Sequence, residues 1–333
     1  MNATPLPPLD ELLECARAVA IPTRTRFRGV SVREAVVFDA PNGASEFSPF
    51  VEYEDREAAS WLAAAIEYGW GEPPALRRTR IAVNATVPAV PAAEVPEVLA
   101  RFDGCTTAKV KVAERGQGLA DDVARVRAVR AAMGEDALVR IDANGGWGVD
   151  EAVAALTALA EFDLDYAEQP CASVAELVEV RRRLGGGARI AADESVRKAE
   201  DPLAVARAGA ADLLVVKAQP LGGIARALGI IERAGLPVVV SSALDTSVGI
   251  GMGLHLAAAL PEGVLAGACG LGTAALLEGD VTRDPLLPRH GGIEVRRAIL
   301  DPELLDRWAA SPERDLWWRE RIARCHRALS AAA

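Results

Sequence analysis

A parallel α/β barrel of the (β/α)₈ type is the fold class that this sequence predicts, and three observations carry the expectation. From about residue 81, short apolar runs alternate with Ala- and Arg-rich amphipathic segments, the pattern of βαβ units. Eight such runs fit within about 190 residues, a rhythm too compact for an open doubly wound sheet. No G-x-G-x-x-G turn follows the first run, as a dinucleotide-binding sheet would require.

Taken in order, residues 1–80 read as a mixed α+β segment. "ELLECARAVAIP" is a helix or a helix leading into a strand, and "VREAVVFDAPNGASEFSPF" reads as strand, turn and loop. "DREAASWLAAAIEYGW" has helical spacing behind an acidic residue, and "GEPPALRRTR" is a linker. The barrel strands follow as "IAVNATV", "TAKVKV", "ALVRIDA", "LDYAEQP", "ARIAADE", "DLLVVKA", "LPVVVSS" and a weaker eighth, "VLAGACG". Helices are predicted between them at 121–133, 150–162, 173–184, 222–234 and 247–259. A tail opening "DPLLPRHGG" and ending "SPERDLWWRERIARCHRAL" is expected to leave the barrel and pack on the N-terminal segment. The expected division is therefore 1–80, 81–284 and 285–333.

Composition narrows the function. The chain has 333 residues, half of them apolar, enough to bury a full core. Its net charge of −10 argues against a general affinity for nucleic acid or anionic membrane, while leaving room for a local cationic pocket. No apolar run approaches the ~20 residues of a membrane span, and no basic-then-apolar leader is evident. The five cysteines, at 15, 105, 171, 269 and 325, form no C-x-x-C and read as reduced thiols of a cytoplasmic protein. With three histidines, and His255 in an apolar helix-like run, a His-based triad or zinc site is not expected.

The strand ends carry the chemistry. In a barrel of this kind function collects where strands end and βα loops begin. The second strand ends with Lys109 and Lys111, which alternation places on one face. The third ends with Asp142 and Asn144, the fourth with Glu168, the fifth with Asp193 and Glu194, the sixth with Lys217. A lone acid at a strand end is usually a helix cap or solvated, and a lone lysine usually snorkels. Five consecutive strands bearing such groups at one height leave that reading weak. Three carboxylates without His or Cys partners indicate Mg²⁺ or Mn²⁺, with Asp142, Glu168 and Asp193 as the ligands. Such a metal would stabilise the charge that develops when a carboxylate substrate loses its α-proton. An isolated lysine titrates near about 10.4, so a lysine base needs help to be neutral. Lys109 supplies it as a like charge beside Lys111. Lys217 approaches from the opposite side as a second acid/base or a fixed cation. The expected partner is a small-molecule carboxylate substrate.

The segments "AKVKV", "RIDANGGW", "AEQP", "AADES", "VVKAQPLGG" and "VVVSSALDTSVG", in this order, resemble the muconate-lactonising branch of the enolase superfamily. The resemblance implies a (β/α)₇β barrel under an α+β capping domain built from both ends of the chain. By position it implies Lys111 as base, Lys109 as its neighbour and Lys217 across the site. It also implies Asp142, Glu168 and Asp193 as Mg²⁺ ligands, Arg140 and Asn144 flanking the first of them, and Ser241 and Ser242 as substrate contacts. Within the branch, dipeptide epimerases carry a D-x-D after strand eight, and muconate cycloisomerases a Glu; "ACGLGTAALL" has neither. "IPTRTRFRGVSVRE", "GASEFSPFVEY", "TTAKVKVAERGQ" and "PLLPRHG" resemble the o-succinylbenzoate synthases of that branch, which implies a dehydration, with N-acylamino acid racemisation as the alternative. In the capping loops Arg24, Arg26 and Arg28 are candidates for holding a dianion, and Phe47 and Phe50 for walling the pocket.

Overall fold

The computed structural model describes residues 4–27, 29–197 and 201–332. The chain opens with α1 (Leu9–Glu14), β1 (Ala16–Phe27), β2 (Val30–Phe38), β3 (Ser45–Phe47) and α2 (Asp55–Trp70). The three strands form an antiparallel sheet in the order β1-β2-β3. Helix α2 buries Ala58, Trp61, Leu62, Ala65 and Ile66 in one cluster with Val36, Phe38 and Phe47, an apolar stripe at helical spacing.

Next come β4 (Arg80–Ala82), β5 (Ala85–Val87), α3 (Val95–Leu99), β6 (Thr107–Lys111), α4 (Leu119–Met133), β7 (Leu138–Asp142) and α5 (Val149–Leu159). These lead to β8 (Leu164–Glu168), α6 (Val174–Leu184), β9 (Ile190–Ala192), α7 (Glu194–Arg197), α8 (Ala204–Arg207) and β10 (Leu213–Val216). The remainder is α9 (Ile224–Ala234), β11 (Val238–Val240), α10 (Ser247–Ala259), β12 (Gly292–Glu294), α11 (Pro302–Arg307) and α12 (Pro312–Ala332). Strands β5 to β11 make a seven-stranded parallel sheet in strict sequence order. Val110, Ile141, Ala167, Ile190, Leu214 and Val240 point outward into the core shared with the helices. Tyr166, Ala191, Leu213, Val215 and Val239 fill the interior. The outer face is thus apolar throughout, while the inner face is apolar on β9 to β11 and carries polar groups on β6 and β7.

Two expected strands differ. "IAVNATV" is not one strand: β4 pairs antiparallel with β12, and the parallel sheet begins only at β5. The eighth run, 264–270, forms isolated bridges instead of a strand. Leu265 and Gly270 bridge to Val238 and Ser241, while Cys269 bridges to Val83, so the segment closes the ring from both sides. Its glycines explain the irregularity; Gly267 takes φ +110°, which no regular strand uses.

The N-terminal sheet and α2 dock on the barrel through buried polar groups. Glu46 on β3 accepts from Ser48 Oγ (2.6 Å), Thr246 Oγ1 (2.5 Å) and the Gly249 amide (3.0 Å), which places a carboxylate at the start of α10. Arg33 donates to the carbonyls of Leu244 (3.1 Å) and Ser48, lies 4.6 Å from the Phe50 ring and stands 3.9 Å from Asp245. Glu67 accepts from the Ala225 amide at the start of α9 (2.8 Å). From the other end of the chain, α12 lies across α2. Trp318 is fully buried, with its ring 5.8 Å from Phe47 and its Nε1 donating to Glu34 at 2.7 Å. Buried Arg321 donates to the carbonyls of Phe50 (3.2 Å) and Tyr53.

Two predictions follow from this packing. Trp318→Ala leaves a large void and removes one of Glu34's donors, Arg314 remaining, so it costs about 3–5 kcal/mol, read as a lowered urea midpoint. Asp245 stands 3.9 Å from the Arg33 guanidinium and feels the charge of buried Glu46. Burial, then Glu46, pushes its carboxyl up to about 7, against the pull of Arg33 and Lys217. The native state therefore holds a proton that the unfolded chain releases near its ordinary value, and stability falls as pH rises towards 7. Asp245→Asn flattens that fall: its Tm matches the parent near pH 4 and exceeds it at pH 8 by roughly 2–5 °C.

Candidate active site

The barrel strands present their inward side chains at one end, and register fixes which ones meet. Lys111 pairs in register with Asp142, and Asp142 with Glu168. Asp193 follows β9 directly and Lys217 follows β10 directly. All six groups at this end, the three carboxylates and Lys109, Lys111 and Lys217, are buried.

Each carboxylate meets an ammonium. Lys109 Nζ donates to both oxygens of Glu168, at 3.1 and 2.9 Å, and lies 3.4 Å from Asp142. Lys111 Nζ donates to Asp142 Oδ2 at 2.5 Å and to Asn144 Oδ1 at 2.8 Å. Lys217 Nζ donates to Asp193 Oδ2. Asn144 is oriented in turn: its backbone N–H donates to Asp142 Oδ1 at 3.0 Å, its Nδ2 donates to Glu194 at 3.3 Å, and it takes φ +48°, a turn conformation that asparagine tolerates.

The electrostatics follow from burial and proximity. Burial opposes the charge of Lys109, but Glu168 and Asp142 outweigh it and hold the ammonium above the ordinary lysine value. Burial likewise opposes ionisation of Asp142, yet Lys111 and Lys109 hold it below the usual carboxylate range. Glu168 goes the other way. Burial first, then the charge of Asp142, pushes its carboxyl up to about 7 despite Lys109, with Asp193 adding to the push.

These groups, Glu168 excepted, floor a cavity lined also by Phe27, Phe50, Tyr53, Trp61, Thr86, Ser241, Ser242, Ala243, Gly270 and Thr273. Ser242 Oγ donates to the Gly270 carbonyl at 2.8 Å and shares a 2.7 Å hydrogen bond with Thr273 Oγ1. The Phe27 ring lies 5.2 Å from Lys111 Nζ, so the first strand of the chain reaches the floor of the barrel. Lys109, Lys111, Asp142, Asn144, Asp193, Lys217, Ser241 and Ser242 all line this cavity, and Glu168 stands behind Lys109.

Arg140 does not line the cavity. It lies in register with Lys109 rather than Lys111, one layer deeper, where its guanidinium donates to Asp165 (2.8 Å) and the Ala268 carbonyl (2.6 Å) beside the Tyr166 ring. Arg24 and Arg26 are exposed on β1, whose alternation turns Thr23 and Phe27 inward instead. Arg28 lies outside the described residues. Phe50 lines the cavity, whereas Phe47 packs beneath it against Trp318. Phe27, Tyr53, Trp61, Thr86 and Thr273 carry no signal in the sequence that separates them from core or loop residues.

Among the described residues, no three His, Cys, Asp or Glu side chains converge as a ready-made metal cage. The donor set nonetheless suits a hard divalent cation. Three buried carboxylates arrive from adjacent strands, and both aspartates raise the pKa of Glu168, so they stand close enough to repel.

Residues 18–72 match the model of the enolase N-terminal domain-like family, and residues 92–299 that of the enolase C-terminal domain-like family. The chain is 56% identical over 325 residues to an o-succinylbenzoate synthase of Mycobacterium tuberculosis, covering 97% of each chain. It is 56% identical over 322 residues to an o-succinylbenzoate synthase of Mycolicibacterium smegmatis, covering 96% of this chain and 98% of the relative. Among solved structures, the 2-chloromuconate cycloisomerase of Rhodococcus opacus superposes with a TM-score of 0.75 at 24% identity, over 89% of this chain and 98% of that one. That likeness bears on the fold alone. The cap, the ordered parallel barrel and the whole-length identity together place this chain in the enolase superfamily, within its o-succinylbenzoate synthase family.

Proposed function

We propose that this protein is an o-succinylbenzoate synthase, a cytoplasmic hydro-lyase of menaquinone biosynthesis. It converts 2-succinyl-6-hydroxy-2,4-cyclohexadiene-1-carboxylate into 2-succinylbenzoate and water. The observation that carries the reading is the identity to o-succinylbenzoate synthases along 97% of the chain, in a protein whose cavity is lined by three lysines and two aspartates, with Glu168 behind Lys109. On this reading residues 1–80 and 285–333 form the cap, and residues 81–284 the catalytic barrel.

The roles follow from position. The substrate's ring carboxylate belongs among the lysines. Lys111, in its uncharged form, takes the proton from the ring carbon that bears this carboxylate. The electron pair left behind enters the ring as the carbon–oxygen bond at C6 breaks. The ammonium of Lys111 returns the proton to the departing hydroxyl on the same face, so water leaves and an aromatic ring remains. Lys217, across the cavity and held by Asp193, supplies fixed positive charge to the other face without moving a proton. Lys109 is committed to Glu168 and keeps a second positive charge beside Lys111. Asn144 orients Lys111 through the 2.8 Å hydrogen bond, and Ser241 and Ser242 bound the substrate on the β11 side.

Enolase-superfamily enzymes are generally dependent on a divalent metal. Asp142, Glu168 and Asp193 would hold that ion, Mg²⁺ or Mn²⁺, which when bound would supply positive charge to the substrate carboxylate. Arg140, which donates from Nε to Asp165 and from Nη1 to the Ala268 carbonyl, supports the barrel interior below these residues.

Lys111→Ala and Lys217→Ala should each lower turnover by more than about a hundredfold, with an unchanged circular-dichroism spectrum. A near-normal rate for Lys111→Ala refutes its role as base. In a direct dehydration assay, EDTA abolishes product formation and added Mg²⁺ restores it. Activity that survives exhaustive chelation removes the metal from the reading.

A further inference from the structure

Trp61 carries a hydrogen-bond donor that the protein does not use. It lies on α2, is 1% exposed, and yet lines the cavity. Among the described residues its Nε1–H meets no acceptor. Two other indoles are satisfied: Trp70 donates to Glu11 at 2.6 Å and Trp318 to Glu34 at 2.7 Å. Trp308 shares the unmet donor but not the cavity. A buried N–H is rarely left without a partner, because its lost contact with water has to be replaced. For Trp61 the available space is the cavity, and the acceptor is whatever fills it.

The charge distribution indicates which acceptor. The cations lining the cavity, Lys109, Lys111 and Lys217, all stand on barrel strands. The cap contributes Phe27, Phe50, Tyr53 and Trp61, with no cation among the described lining residues. A ligand with one carboxylate among the lysines and a second at the end of a flexible arm therefore presents that second anion to a wall of aromatic rings. An indole N–H is a donor suited to such a wall, and a hydrogen bond to an ionised acceptor is the stronger kind. We infer that the Nε1–H of Trp61 donates a hydrogen bond to the terminal carboxylate of the substrate's succinyl arm. Trp61 is thus a substrate-binding and specificity residue of the cap. The inference rests on the proposed dehydratase function.

The test compares 2-succinylbenzoate with 2-butanoylbenzoate, which keeps the ring carboxylate, the ketone and the chain length but ends in a methyl group. Calorimetric titration into the wild type and into Trp61→Phe, both with Mg²⁺, separates the donor from the ring. Trp61→Phe should weaken 2-succinylbenzoate roughly tenfold and leave 2-butanoylbenzoate unchanged. KM for the dehydration substrate rises by a similar factor, with kcat within about threefold. Unchanged affinity for 2-succinylbenzoate, or equal weakening of both ligands, overturns the inference in favour of a packing role. Should the variant fail to fold, ¹⁵N-indole spectra of the wild type decide. One of the six tryptophan N–H resonances moves downfield with 2-succinylbenzoate and not with 2-butanoylbenzoate, and no such movement overturns the inference. A wild type that binds 2-succinylbenzoate but does not dehydrate removes the proposed function while leaving the contact open to the same titration. A wild type that does neither removes both.

Discussion

Six buried titratable side chains, three lysines and three carboxylic acids, share one end of the barrel, and the rest of the molecule is arranged around that fact. Burying any one of them alone would be prohibitive; burying them as mutual partners is tolerable. The pairing needs a scaffold that delivers each group at a fixed height. A parallel sheet in strict sequence order does so, because each strand adds one inward group at the rim and the register carries it next to its neighbour. The apolar interior layer of Tyr166, Ala191, Val215 and Val239 closes the barrel below, so water cannot reach the charges from beneath.

A barrel open above would leave those charges solvated. The N-terminal sheet and α2 cover them, joined to the barrel by a shared apolar core that includes Val19, Ile21, Val37 and Tyr68 and by buried polar contacts. Glu46 reaches across to the start of α10, Arg33 to the loop after β11, and Glu67 to the start of α9. Such contacts require specific partners at specific distances. They fix how the cap sits on the rim, and with it the positions of Phe27, Phe50, Tyr53 and Trp61.

Much of this was legible before any coordinates. Regular spacing of Asp142, Glu168, Asp193 and Lys217 put one charged group on each successive strand, and alternation put Lys109 and Lys111 on a common face. Period-two alternation, however, yields the face of a strand and not the depth along it. The resemblance set Arg140 beside the first carboxylate, and neither it nor alternation revealed that the side chain lies one layer down. Arg33 and Arg321 were invisible for another reason: an arginine reads as solvated unless its acceptors are known, and theirs are backbone carbonyls far away in the chain. Trp61 was hidden within an apolar helical stripe that would read the same had it faced only the core. The glycines of 264–270 weakened the last strand in the sequence and do so in the fold.

Arg321 has a consequence for how the molecule is assembled. Its guanidinium braces the carbonyls of Phe50 and Tyr53, residues 271 and 268 positions earlier in the chain. Contacts of such long range close late, since the entropy of the intervening loop is recovered only once that loop has itself become ordered. The aromatic lid over the rim is therefore among the last parts to take shape. An intermediate with a finished barrel and an undocked final helix would hold every charged group in place while lacking a defined ceiling, and maturation of the enzyme would end with the meeting of its two extremities.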